Sequence, residues 1–199
     1  MREHLERVPL TDAEIVAATV GEPALLRGPV HLADYDPEWP VHFGQEAAAI
    51  REALGSAALR IEHVGSTSVA GLPAKPIIDM LLVVADSAAE PAYVPALEAA
   101  GYVLRIREPD WYEHRLFKGP RINLNLHVVT EGCPEITRML GFRDHLRSHD
   151  ADRDLYAGTK RELAARDWKY VQNYADAKTA VIEAILARAV EGTSVPRPS

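Results

Sequence analysis

Apolar residues recur along the chain with two different periods, and the changes of period mark its elements. Phe43, Ala47, Ile50 and Leu54 fall on one stripe, which predicts a helix at roughly residues 40–54. The runs 59–64 and 77–84 have no helical period and read as strands, joined through a small polar turn. Residues 90–100 read as a helix ending at Gly101, and "YVLRIR" as a strand by its β-branched and aromatic alternation. "WYEHRLFK" and "RINLNLHVV", separated by Gly119-Pro120, predict a hairpin. Pro134 opens a helix to about Arg147, and a longer helical region spans 152–191 with Val171, Tyr174, Val181, Ile185 and Ala189 on one side. Ahead of all this, "LTDAEIVAATV" predicts a short helix capped by Thr11 or Asp12. "VHLADYDPEWP" then reads as a strand followed by a turn at Asp36-Pro37. The expected fold class is α+β (α/β), a mixed sheet packed with helices and followed by a helical C-terminal region. Residues 1–30 form an N-terminal arm, 31–191 one domain and 192–199 a disordered tail.

Composition narrows the function classes. With 199 residues, 47% hydrophobic and 26% charged, the chain suits one soluble domain. A net charge of −7 argues against a general affinity for nucleic acid or anionic lipid, though it says nothing about one cleft. A single cysteine, Cys133, excludes an intrachain disulfide and a Cys-rich zinc site. The charged N-terminus lacks a signal-peptide core and "MLLVVA" is too short to span a bilayer, so a cytoplasmic protein is expected.

One carboxylate stands out. Asp79 shares a face with Ile77, Leu81 and Val83 in a strand that is apolar on both faces. A carboxylate there must be paired, hydrogen-bonded or bound to a cation. Twelve residues separate it from Ser66 in the turn Gly65-Ser66-Thr67-Ser68, whose hydroxyls and amides can donate to phosphate. Gly65 keeps that turn free of a Cβ. "RINLNLHVV" places Arg121, Asn123, Asn125 and His127 on one face, either a half-solvated strand or a wall of the Asp79 cleft. His127 and His63 are candidates for acid–base work, His127 also for metal ligation. Lys75, Asn125, Arg143, Arg147, Lys160 and Lys178 are candidates for binding phosphate, the helical ones being equally readable as solvated charges. No Walker A, H-E-x-x-H or G-x-S-x-G sequence occurs.

The blocks "YDPEWP", "IEHVGSTSV", "GLPAKPIID", "NLHVV", "FRDHLR" and "DWKYVQNYADAK" resemble, in order, those of the GrpB family over about residues 30–190. The resemblance implies a nucleotidyltransferase-like fold and relatives found alone or fused behind the kinase that phosphorylates dephospho-CoA. It suggests a transferase that binds ATP or another nucleoside triphosphate with magnesium and transfers a nucleotidyl group or adenylates a small molecule. Asp79 would then hold the metal and the 65–68 turn the phosphates. The alternative is a non-catalytic nucleotide- or ligand-binding module linked to CoA metabolism. Members usually read "VPGLAAKP" where this chain has Ala70 and Pro73. Active nucleotidyltransferases usually carry a second carboxylate where this strand has Leu81, and two-metal chemistry needs such ligands.

Overall fold

The computed structural model describes residues 8–26 and 28–193. Helix α1 (Asp12–Ala18) starts at Thr11, whose side chain and Glu14 form a reciprocal capping box. Helix α2 (Trp39–Leu54) carries the predicted stripe, with Pro40 in its first turn. It is followed by β1 (Arg60–Val64), a 3₁₀ turn over Ser66–Ser68, β2 (Ile78–Val84) and α3 (Val94–Ala99). Strands β3 (Val103–Glu108), β4 (His114–Lys118) and β5 (Leu124–Thr130) complete the sheet, and α4 (Pro134–Ser148) follows.

Two expectations are corrected. Residues 30–36 make only the bridge Ala33–Ala74, not a strand, because their partner Ala74 lies in the loop before β2 and not on a strand of the sheet. The helical region 152–191 is three helices: α5 (Asp150–Ala164), α6 (Val171–Asp176) and α7 (Thr179–Thr193). The chain leaves α5 so that the Trp168 indole donates to Leu163 O, and Tyr170 and Asn173 then recap α6. The tail 194–199 lies outside the described residues.

The sheet order is β1-β2-β5-β4-β3. Only β2 and β5 run parallel; the other neighbouring pairs are antiparallel. Side chains alternate between two faces. Met80, Leu82, Val84, Leu124, Leu126 and Val128 pack with Ile50, Leu54 and Leu97 of α2 and α3 as the main core. The other face carries Val64, Leu81, Val83 and Val129 under Ile136, Met139 and Leu140 of α4. The central strand is covered on both sides, as its two apolar faces require. No helix among the described residues is long and apolar enough to cross a membrane.

Candidate functional site

Register brings the polar strand residues together. Asp79 lies directly opposite Asn125 across the parallel β2–β5 pair, and Leu81 opposite His127. Both polar partners therefore project from the α4 side of the sheet, with Asp79. Asn125 Nδ2 donates to Asp79 Oδ1 at 2.7 Å, and His127 Nε2 lies 3.7 Å from the same oxygen. Lys118, at the end of β4, donates to Asn125 Oδ1 and completes a lysine–amide–carboxylate chain. Burial raises the Asp79 pKa, but contacts with His127 and Asn125 and the Lys118 charge outweigh it and hold the carboxyl below its ordinary value.

A second chain reaches Asp79 from the far edge of the sheet. Glu108 Oε2 lies 2.7 Å from His114 Nδ1, and His114 Nε2 lies 3.0 Å from His127 Nδ1. Glu108, His114, His127 and Asp79 thus form a file across the sheet, ending in the 3.7 Å approach of His127 to Asp79.

The 65–68 turn closes one end of the site. Gly65 has φ +68°, and its backbone abuts the Asp79 side chain. Ser66 Oγ accepts from Lys160 Nζ at 3.0 Å, and the same ammonium also donates to Pro73 O. Lys160 is buried; desolvation first, then repulsion by Lys178, brings its pKa down to about 7. Lys178, 3.9 Å from the Tyr174 ring centroid, is lowered to about 8 by burial and then by Lys75. Burial also lowers Lys75 and Lys118, while the Asp79 charge opposes the shift in both. Four lysines thus surround one carboxylate. Tyr174, 2% exposed, has a buried hydroxyl without a hydrogen-bond partner.

These groups line a cavity of about 550 Å³. Of the residues singled out in the sequence, Asp79, Asn125, His127, Lys75, Lys160, Gly65, Ser66 and Thr67 line it, together with Lys178. His63 does not share their face. It pairs with Met80, stacks on Phe43 at 4.8 Å, and its Nε2 lies 3.0 Å from Thr67 Oγ1. Burial lowers its pKa to about 4, so it is a neutral prop beneath the turn at neutral pH. Arg143 and Arg147 clamp the turn from outside: Arg143 donates to His63 O and Glu62, and Arg147 to Ser68 O. The Ser68 hydroxyl turns back onto Gly65 O at 2.6 Å. Arg121 reaches the other side of the sheet, where it meets Glu46. Sequence reasoning missed Lys118, His114, Glu108 and Tyr174. The period-two pattern His114, Leu116, Lys118 was the available signal for two of them, because it places both on one face.

The GrpB protein family model matches residues 29–188. This chain belongs to the GrpB family. It is 56% identical to a UPF0157 protein of Halalkalibacterium halodurans over 95% of this chain and 97% of that one. A dephospho-CoA kinase of Mycolicibacterium paratuberculosis is 30% identical over 71% of this chain, a match covering 41% of the kinase. Among solved structures, GrpB from Enterococcus faecalis superposes with TM-score 0.71 at 32% identity, covering 82% of this chain and 99% of that one. The mixed-sheet α+β architecture is thus shared with a GrpB crystal structure.

Proposed function

We propose that the cavity binds a phosphate-bearing small molecule, with a nucleotide as the first candidate. The observation that carries this reading is the gathering of Lys75, Lys118, Lys160 and Lys178 in one cavity around Asp79. Like charges held in a partly desolvated site raise the free energy of the empty protein, and a polyanion relieves that cost. Tyr174 lines the same cavity, and its buried hydroxyl has no hydrogen-bond partner.

Magnesium held by the protein fits this donor set poorly. Such a site takes carboxylate and other oxygen donors in octahedral geometry. Asp79 engages Asn125 with Oδ1 and packs Oδ2 against Gly65, and its strand neighbour on this face is Leu81. Among the described residues, no group of three His, Cys, Asp or Glu side chains could hold a metal. The binding-module reading is therefore favoured. Nucleotidyl transfer keeps one supporting observation: the strand, Gly-Ser turn and carboxylate-bearing strand adjoin in space, as in nucleotidyltransferases.

Isothermal titration with ATP and with inorganic pyrophosphate, each with and without magnesium, tests the reading. Binding of either anion that does not require magnesium and is weakened at least tenfold in Lys178→Gln is the expected result. Binding only in the presence of magnesium, with Lys178→Gln unchanged, would return the site to metal chemistry.

A further inference from the structure

The cavity is larger than its lysine cluster needs. At about 550 Å³ it falls in the range that encloses a drug-sized ligand, well beyond one phosphate group. It extends from the 65–68 turn beside β1 to Ile106 on β3, the opposite edge strand. Four strand spacings separate those edges, roughly 19 Å. The lysines Lys75, Lys160 and Lys178 stand towards the turn, as the Lys160–Ser66 bond and the mutual repulsion of the three show.

The other end is mainly apolar, with Arg105 and Glu108 of β3 beside it, and the N-terminal arm makes much of it. Leu10, Ile15, Ala18 and Pro23 join Ile106 and Leu116 in the lining. The arm is tied down on both flanks. Thr19 bridges Ile106 and Val20 N donates to Arg105 O on β3, while Leu25 bridges Tyr170 and Leu10 N donates to Asp176 beside α6. It lies before residue 29, where the family match begins.

We infer that the ligand is an amphiphilic phosphate ester whose apolar part packs against the arm, so that residues 10–23 select the tail while the lysines hold the phosphate. This rests on the phosphate reading above. Apolar walls at one end and ammonium groups at the other fit an alkyl, acyl-chain or aromatic substituent better than a hydroxylated one, because a buried hydroxyl without a partner is costly.

Titration of the full chain with inorganic pyrophosphate, glycerol phosphate and n-alkyl phosphates from butyl to octyl tests the inference. Affinity should rise about fourfold per added methylene until the cavity is filled, with no comparable gain for glycerol phosphate. Leu10→Asn should lower the octyl phosphate to pyrophosphate affinity ratio by about tenfold. Ala18→Leu, at a half-buried helix position, should shorten the alkyl chain at which the gain stops. Thermal melts of both variants check that the arm remains packed. A flat alkyl series with pyrophosphate still bound overturns this inference alone. A rising series with both variants unchanged puts the tail away from the arm and overturns the assignment to it. Failure of every anion to bind overturns the phosphate reading and this inference with it.

Discussion

Gly65 is pressed against Asp79: a Cβ at Gly65 would come within 2.5 Å of Asp79 Oδ2. The absent side chain makes room for a carboxylate of the next strand. Gly65 also has a positive φ, which side-chain-bearing residues adopt only with strain. Gly65→Ala therefore combines a clash with backbone strain. It should cost about 1–3 kcal/mol of stability by urea denaturation and weaken anion binding, since Asp79 and the turn must move apart.

Asp79→Asn separates the two chemistries of the cleft by sign. In a lysine-dominated anion site, Asp79 is a repulsive charge at the centre of the cluster, so the amide variant should bind pyrophosphate more tightly. Its apo form should lose about 1–3 kcal/mol, the cost of removing a charged hydrogen-bond partner from Asn125 and the opposing charge from the lysines. Loss of binding with little change in melting would contradict this account. For the wild type, the lowered folded-state pKa of Asp79 means that its stabilisation is present at neutral pH. That stabilisation is lost as pH falls through and below the ordinary carboxylate value.

Lys160 should couple binding to protons. Its folded pKa of about 7 lies below the ordinary 10.5, so between these values the unfolded chain binds a proton that the folded apo protein releases. Apo stability from this group accordingly rises with pH across that window. A bound anion favours the charged lysine, so pyrophosphate affinity should fall as pH rises above about 7. Proton uptake on binding at pH 8 is measurable by titration calorimetry in buffers of different ionisation enthalpy. Equal heats in all buffers would remove Lys160 from the site.

Lys178→Met should make the empty protein more stable and the site worse. Lys178 has its pKa held down to about 8 by burial and by Lys75, so keeping it charged at neutral pH costs folding free energy. A methionine of similar length removes that charge and keeps the packing on Tyr174. A gain of about 1–2 kcal/mol in apo stability, together with loss of pyrophosphate binding, is expected from paired melts and titrations.

Much of the architecture was legible in periodicity. The 43/47/50/54 stripe became α2, the alternation 122–128 became β5, and "LTDAEIV" carried its own cap, because these patterns are local and each repeats the geometry of its element. The break in the 152–191 helical run escaped that reading, since Trp168 and Tyr170 end and restart helices through contacts that no helical period encodes. The same division runs through the candidate site. Sequence alone isolated Asp79, the 65–68 turn, Asn125 and His127, because polar residues in apolar strands are conspicuous wherever the strands go. Only the tertiary structure decided that β2 and β5 are parallel neighbours in the register that sets Asp79 beside Asn125. It alone turned His63 to the opposite face, spent Arg143 on a β1 carbonyl and Arg147 on a turn carbonyl, and collected lysines from two loops, a strand and a helix around one carboxylate. Charge convergence of this kind arises between residues distant in sequence, where register and packing fix distances that spacing along the chain does not contain.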